Sequence, residues 1–360
     1  MKRVGGLWLR LVSFDNLLLA YRKARRGKRA RPGVAEFELG LERNLLALQD
    51  ELVTGRYRPG AYRQFTIYER KPRLITAAPF RDRVLHHAVM NVIEAPIDRR
   101  FIHDSYACRI GKGVYKAVNR YQRWCQRYRF ALKLDVRSYF PSIDHEILKA
   151  KLRRHLKDQR TLELLDRIIG ASPDYGRPLT YFPGDDLFSP VDRRVGIPIG
   201  NLTSQFFANL YLDAFDHFVK DSLRVRAYLR YVDDIILLDN DPARLHELRL
   251  VLAERLERDR LELHARKGGV MPVCTGVDVL GYRVFPAYRL LRNDNGHRFS
   301  RKLRRFAVGY ARGRLALSDI DPSVQSWLGH AGHADTLGLR GAIFGAARFS
   351  RGAGQAAASA

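Results

Sequence analysis

The sequence predicts an α+β protein that combines helices with short β-hairpins. Apolar residues recur at helical spacing in several stretches, as between Leu41 and Leu52. Elsewhere they form short β-rich runs that are typical of hairpins, such as Tyr228–Leu238. At 360 residues the chain is long for one domain, so we expect two or three lobes.

The charge balance indicates a polyanionic partner. Lys and Arg total 64 against 38 for Asp and Glu, which gives a formal net charge of +26. A chain that is 46% hydrophobic and 11% aromatic can still bury a core, which excludes a disordered basic tail protein. Because so much like charge opposes compaction, we expect nucleic acid to neutralise it, with an anionic membrane surface as the alternative.

The sequence predicts no disulfide framework, zinc cluster or targeting segment. Cys108, Cys125 and Cys274 are odd in number and far apart, which favours a reducing cytoplasm. Arg10 and Asp15 interrupt the apolar stretch near the N-terminus, which argues against a signal peptide. No run approaches the ~18 uncharged apolar residues of a membrane span, so we expect an intracellular, cytoplasmic protein.

The N-terminal part alternates basic, helical and hairpin patterns. Basic side chains, Lys28 and Arg31 among them, dominate residues 1–33. From Arg22 onward they predict a solvated segment, with phosphate contact as the alternative. A helix is predicted over 36–52, a hairpin over 62–76, and an amphipathic helix over 113–129. The apolar stripe of that last helix suits the core, and its basic face suits phosphate binding.

Strands and helices alternate through the rest of the chain. A strand over 130–136 ends in an acid, and Tyr228–Leu238 predicts a hairpin with two acids at its tip. The stretch 171–194 predicts a loop or short hairpin. The remaining predictions are helices near 144–156, 161–170, 203–221 and 242–258, short strands near 261–264 and 279–285, and a basic helical part from about 286.

Three carboxylates stand where a fold has no structural need of them. Asp135 ends an apolar strand, and Asp233 and Asp234 are adjacent at a hairpin tip. Neighbouring acids repel and are unfavourable near a core, and a divalent cation removes both penalties. Oxygen ligands suit Mg²⁺, and two ions about 3.5–4 Å apart can serve phosphoryl transfer. Two adjacent acids are also typical of a polar turn, so the surrounding residues decide between the readings.

Four motifs in these surroundings resemble those of the reverse transcriptases. The family's YxDD signature is similar to Tyr231–Asp234 (YVDD), and its first-aspartate motif is similar to residues 133–144. Residues 196–212 resemble the loop-and-helix motif, and residues 280–282 resemble the primer-grip hairpin. The motifs follow one another in family order. The resemblance implies a right-hand polymerase that makes cDNA from a template RNA. Its expected parts are fingers, a palm in which an antiparallel sheet is backed by helices, and a small helical thumb.

The same resemblance implies a division of the chain. Its parts are a basic N-terminal segment (1–33), fingers with part of the palm (34–130), a palm with the active site and primer grip (131–285), a helical thumb (286–350) and a disordered tail (351–360).

The resemblance also implies roles for single residues. Asp135, Asp233 and Asp234 are the expected catalytic ligands of two Mg²⁺ ions, assisted by the Val136 carbonyl, and Mn²⁺ is an expected substitute. Phe140 is the expected steric gate against a ribose 2′-OH, with an ordinary core aromatic as the alternative. The other expected dNTP-binding residues, beside Val136 and Phe140, are Lys71, Arg73, Ile199, Gly200 and Gln205.

Further residues are expected to contact the primer and template or to act on the leaving group. Lys267 is a candidate general acid toward pyrophosphate. Trp327 and His330 are read as structural. The primer grip is assigned to Leu280, Gly281 and Tyr282, and phosphate contacts to Arg301, Lys302, Arg304 and Arg305, for which a solvated basic face is the alternative.

Finer features resemble the diversity-generating retroelement branch of the family. Most intron-type enzymes read QG…SP in the middle motif, where this chain has Ile199-Gly200 and Ser204-Gln205. This branch copies template RNA with frequent errors at adenines. It also implies an oligomeric, basic accessory variability protein as a partner. Val232 departs from the branch, in which Met is commoner.

Three alternatives stay open at this point. They are a retron or abortive-infection enzyme, a group II intron maturase, and a non-catalytic RNA-binding or maturation protein on a polymerase shell. The chain stops soon after the expected thumb, which argues against the maturase. All three acids remain, which argues for an enzyme.

Overall fold

The computed structural model describes residues 2–68, 72–176, 178–265 and 267–351. In that part of the chain the α-helices are α1 (Trp8–Val12), α2 (Phe14–Ala24), α3 (Pro32–Leu39), α4 (Leu41–Val53), α5 (Phe80–Asp98), α6 (Val114–Cys125), α7 (Tyr139–Ser142), α8 (His145–His155), α9 (Gln159–Gly170), α10 (Ser189–Asp192), α11 (Leu202–Tyr211), α12 (Asp213–His217), α13 (Pro242–Glu257), α14 (Asn293–Ala311), α15 (Leu317–Ala331) and α16 (Leu337–Gly345). The predicted tail, apart from residue 351, lies outside the described residues.

The strands form three sheets within the same residues. They are β1 (Arg63–Tyr68), β2 (Pro72–Ala77), β3 (Phe130–Asp135), β4 (Tyr228–Tyr231), β5 (Asp234–Asp239), β6 (Gly269–Pro272), β7 (Val277–Val279), β8 (Tyr282–Val284) and β9 (Arg289–Leu291). β1 and β2 form a hairpin, four strands follow the order β4-β5-β3-β6, and β7, β8 and β9 form a meander. The mixture of helices and antiparallel sheets confirms the predicted α+β class.

The chain divides into two units. One comprises residues 1–111, 134–236 and 247–268, and the other comprises 112–133, 237–246 and 269–360. The first unit contains α1–α5, the hairpin β1–β2 and the helices α7–α12. The second contains α6, the meander and α14–α16, in which the Phe299 and Trp327 rings stack with centroids 4.1 Å apart. No helix among the described residues is long and apolar enough to cross a membrane.

The start of the chain is more ordered than the basic pattern predicts. α2 packs against α5 and buries Leu17 and Tyr21, and the Asn16 side chain donates to the Ala88 carbonyl at 3.1 Å. Arg25 is paired with Glu38. The prediction of a solvated segment is therefore wrong for Ala24 and Arg25, since basic residues on the outer face masked the packing of this region.

Most of the remaining elements follow the sequence patterns. The helix predicted over 36–52 is divided at Gly40 into α3 and α4, the helix near 203–221 is divided into α11 and α12, and the strand near 279–285 is two strands, β7 and β8, joined by a turn. The hairpin over 62–76 is confirmed, with Phe65 opposite Ile75. The predicted strand at 261–264 is wrong, because this segment makes only an isolated bridge between Leu263 and Val136. The strand that borders β3 on the side away from β5 is β6, which follows later in the chain.

Candidate active site

Two neighbouring strands bring the three predicted acids together. β3 ends at Asp135, the turn between β4 and β5 carries Asp233, and Asp234 begins β5. β3 and β5 are neighbours in the sheet, and the Val136 N–H donates to the Asp233 carbonyl at 3.2 Å. Backbone pairing of two separate segments therefore places these carboxyl groups at one site.

The electrostatics of this site show how closely the acids interact. The pKa of Asp233 is raised to about 6, first by burial and then by the negative charges of Asp234 and Asp135. Lys267 Nζ contacts Asp135 Oδ1 at 3.1 Å, although that lysine side chain is 47% exposed. The positive charge of Lys267 lowers the pKa of Asp233, but by less than burial and the two neighbouring carboxylates raise it.

The oxygen donors at this site suit a hard divalent cation, although the side chains are not arranged as a complete set of ligands. Carboxylate and carbonyl oxygens are the ligands that Mg²⁺ prefers. Within the described residues no group of three or more His, Cys, Asp or Glu side chains is arranged to hold one ion. Asp135 is instead engaged by Lys267. The residues therefore fit a cation chemically, and binding at Asp135 would replace the lysine contact.

The expected nucleotide-binding residues of the first unit are joined by backbone hydrogen bonds. Phe140 is half-buried, and its carbonyl accepts the Ile197 N–H at 3.0 Å. The Ile199 carbonyl accepts the Thr76 N–H of β2, also at 3.0 Å. These bonds tie the segment after β3, the loop before α11 and the β1–β2 hairpin to one another.

Gly200 occupies a position where only glycine fits easily. Its φ is +121°, and a Cβ there would lie 3.1 Å from Ile75 Cγ2. Glycine adopts this backbone conformation without the steric cost of a side chain. The close approach of the loop to β2 therefore depends on this residue.

The other predicted nucleotide contacts stand apart. Arg73 is exposed on β2 opposite Ile67, and its side chain makes no hydrogen bond or ion pair within the described parts of the chain. Gln205 is exposed on α11. Lys71 lies outside the described residues.

In the second unit, the predicted primer grip is a tight turn. Leu280 and Gly281 join β7 to β8 with φ values of +48° and +95°, and Tyr282 is fully buried. On α14, Phe299 and Leu303 face the core. The predicted phosphate-binding residues occupy exposed positions on the same helix: Arg301, Lys302, Arg304 and Arg305.

A group of cations in the first unit combines two residues of the basic N-terminal run with one residue that the sequence analysis did not single out. The cation cluster consists of Lys28, Arg31 and Arg83. The pKa of Lys28 is lowered by burial and then by the charges of Arg83 and Arg31, and the pKa of Arg83 is lowered by burial and then by Arg31. Arg83 Nε is buried and has no hydrogen-bond partner among the described residues. Such an arrangement favours binding of an anion.

The cation cluster borders a large cavity. Its volume is about 1040 Å³, and Arg31, Arg83, Phe65 and Phe80 are among the residues that line it. Arginine and aromatic side chains together suit a nucleic acid strand, which presents both phosphates and ring faces. Lys28 and Arg31 belong to the basic N-terminal run, so the basic pattern indicates them in the sequence. Arg83 joins them only in the folded chain.

Comparison with known proteins decides the family. The model of the family "Reverse transcriptase (RNA-dependent DNA polymerase)" matches residues 65–284, which include the three acids and most of the β1–β2 hairpin. The chain belongs to the reverse transcriptase family. This membership confirms the predicted enzyme class, an RNA-directed DNA polymerase and hence a nucleotidyltransferase.

Individual relatives are similar at low identity. Protein YkfC of Escherichia coli K12 is 26% identical over 281 residues, which cover 67% of this chain and 71% of that protein. The group II intron-encoded protein LtrA of Lactococcus lactis is 24% identical over 183 residues, which cover 49% of this chain and 28% of LtrA. An uncharacterized 91 kDa protein in the cob intron of Schizosaccharomyces pombe is 26% identical over 149 residues, 41% of this chain and 17% of that protein. The chain thus spans under a third of these intron-encoded relatives.

Proposed function

We propose that this reverse transcriptase extends a DNA primer on an RNA template through Asp135, Asp233 and Asp234. In this reaction the primer 3′-OH attacks the α-phosphate of a dNTP, and pyrophosphate leaves. The observation that carries the proposal is the meeting of the three acids at the ends of β3 and β5, inside the region that the family model matches.

The acids are proposed to hold two Mg²⁺ ions, with Mn²⁺ as a substitute and the Val136 carbonyl as a further ligand. Bound metal ions activate the attacking oxygen and stabilise the leaving oxygen of a phosphoryl transfer. Lys267 lies beside the acids through its contact with Asp135. In this proposal it gives a proton to the departing pyrophosphate, because an ammonium group is a suitable acid and a partner of polyphosphate.

Nucleotide selection is proposed to rest on residues around the loop before α11. The half-buried Phe140 ring fills the space that a ribose 2′-OH needs, which favours deoxynucleotides. Gly200 lets the backbone approach the new base pair. Arg73, exposed and without an acidic partner among the described residues, offers a guanidinium fork to the triphosphate. Lys71 and Gln205 are proposed to assist there.

The template strand is proposed to contact the cation cluster. Lys28, Arg31 and Arg83 repel one another in the free protein, and a phosphate group relieves that repulsion. The exposed basic face of α14 is proposed to contact the product duplex, and the β7–β8 turn to hold the primer. Both assignments rest on the family resemblance of these segments.

We further propose that the enzyme belongs to the diversity-generating retroelement branch and misincorporates opposite template adenines. The support is Ile199 and Gln205 in the middle motif. The backbone of Ile199 is held by Thr76, so its half-buried side chain presents an apolar surface where other branches offer an amide. On the same resemblance, an oligomeric basic accessory protein is the proposed partner.

Primer extension with substituted acids tests the catalytic proposal. Asp233→Asn and Asp234→Asn should abolish Mg²⁺-dependent extension of a DNA primer on an RNA template. RNA binding should persist, because removing negative charge cannot weaken phosphate contact. Asp239→Asn, at the other end of β5, is the matched control and should retain extension. Near-normal incorporation by either active-site variant would exclude the proposed role of the acids.

A further inference from the structure

A buried ion pair lies directly beneath the turn that carries Asp233. The side chains of Arg230 on β4 and Asp216 on α12 are both 0% exposed. Arg230 Nε lies 2.8 Å from Asp216 Oδ1, and its Nη2 lies 2.7 Å from Asp216 Oδ2. Tyr228 also donates to Asp216. This is the two-pronged geometry that a guanidinium and a carboxylate form most favourably.

The guanidinium uses its remaining donors on backbone and amide oxygens. Nη1 contacts Asn209 Oδ1 at 3.3 Å and the Val232 carbonyl at 3.1 Å, and Nη2 contacts the Asn209 carbonyl at 3.2 Å. A guanidinium has five N–H donors. The contacts to Asn209 and Val232, together with those to Asp216, give each donor an acceptor. The bond to Val232 is therefore one fixed member of a complete set.

Val232 is the residue of the turn that most needs support. Its φ is +56°, in the left-handed region that β-branched residues rarely adopt. It directly precedes Asp233, whose own carbonyl accepts the Val136 N–H. Strained residues of this kind persist where the surrounding structure holds them. Arg230 holds this one by its carbonyl.

We infer that Arg230 is a positioning residue that fixes the Tyr231–Asp234 turn and thereby the direction of the Asp233 carboxylate. Asp216 acts through it by orienting the guanidinium. The inference rests on the proposed catalytic role of Asp233. It goes beyond that role because Arg230 is fully buried and therefore acts through the turn, not by contact with the substrate.

A purely structural role for the ion pair is the competing explanation, and the chain offers a matched control. Lys151 is 7% exposed, pairs with Asp259 at 2.6 Å and also donates to the Tyr211 carbonyl. It therefore joins a buried acid to a backbone oxygen as Arg230 does. Within the described residues, none of the contacts of Lys151 is in the Tyr231–Asp234 turn.

The test compares Arg230→Lys with Lys151→Met in the full-length protein. A lysine has a single nitrogen on a flexible stem, so it can remain near Asp216 but cannot reproduce the fork and the Val232 bond together. We expect kcat for primer extension to fall about 10–100-fold, the loss typical of a displaced reacting group, with little change in KM for template–primer. The rise in melting temperature on adding Mg²⁺ should also shrink. Lys151→Met should lower the melting temperature without either effect.

A second variant separates turn strain from general stability. Val232→Gly removes the side chain that makes the left-handed conformation costly. If Arg230 acts by holding this strained turn, its replacement by Lys should reduce kcat less in the Val232→Gly background than in the wild type.

Equal losses in both backgrounds, or equal kcat losses for Arg230→Lys and Lys151→Met, would overturn the inference. If Asp233→Asn is inactive while Arg230→Lys keeps wild-type kcat, only this inference fails; an active Asp233→Asn instead removes the proposed function on which it rests.

Discussion

Replacing Lys28 and Arg31 with Gln should weaken RNA binding and at the same time stabilise the free protein. These cations lie close to Arg83. The charge of Arg83 helps to lower the pKa of Lys28, and the charge of Arg31 helps to lower the pKa of Arg83. Loss of two charges removes attraction for phosphate in the complex and repulsion within the cation cluster in the free protein. The two effects have opposite signs, which few other substitutions would produce.

The magnitudes follow from the number of charges removed. Each phosphate contact with a single strand contributes about 0.7 to the slope of log affinity against log salt, so two lost contacts lower the slope by about 1.4. Between 50 and 200 mM salt, the wild type should therefore lose roughly sevenfold more affinity than the variant. Relief of repulsion between partly exposed charges should stabilise the fold by about 0.5–1 kcal/mol.

Binding of a labelled single-stranded RNA at several salt concentrations, together with thermal unfolding, measures both effects. Arg22→Gln with Arg26→Gln is the matched control, since it removes two exposed charges from the same region and leaves the cation cluster intact. The reasoning would be refuted if both double variants had the same salt slope. It would also be refuted if the cluster variant melted at a lower temperature than the wild type.

Three further substitutions give measurable expectations. Phe140→Ala should raise ribonucleotide use relative to deoxynucleotide use by about tenfold or more in single-nucleotide assays, and unchanged selectivity would assign the ring to the core. Ile199→Gln should lower misinsertion opposite template adenine by about 5–30-fold, because the amide restores a discriminating hydrogen bond. Sequencing of cDNA made on one template measures this, and an adenine error rate equal to that of the wild type would contradict it. The pKa of Asp213 is raised to about 6 by burial and then by Asp216, so the folded state binds the extra proton and wild-type stability falls as the pH rises from about 4 to 6. At pH 7.5 the Asp213→Asn variant should therefore be more stable than the wild type by at most about 3 kcal/mol, and it should melt at a higher temperature. The gain in stability should vanish near pH 4. A gain that does not depend on pH would contradict this assignment.

Local patterns in the sequence determined the elements that carry the acids. The apolar run before Asp135 predicts a strand, and the β-rich run around Asp233 and Asp234 predicts a hairpin with acids at its tip. Both are present as β3 and as β4–β5. Such predictions depend on side-chain alternation and turn chemistry, which act between residues close in the chain. The resemblance to reverse transcriptases uses the same short motifs, and the family comparison confirms it.

Contacts between distant segments were decided by the tertiary structure alone. Lys267 and Asp135 are 132 positions apart; the family resemblance assigns both to the active site, but the sequence does not indicate that their side chains touch. Arg83 joins Lys28 and Arg31 only because α5 packs beside the N-terminal helices. A charged residue in a sequence looks the same whether it will face water or a buried partner, because burial depends on elements that pack on it from elsewhere. Arg230 in the apolar strand β4 therefore gave no sign of its buried pairing with Asp216 or of its bond to the turn that carries Asp233.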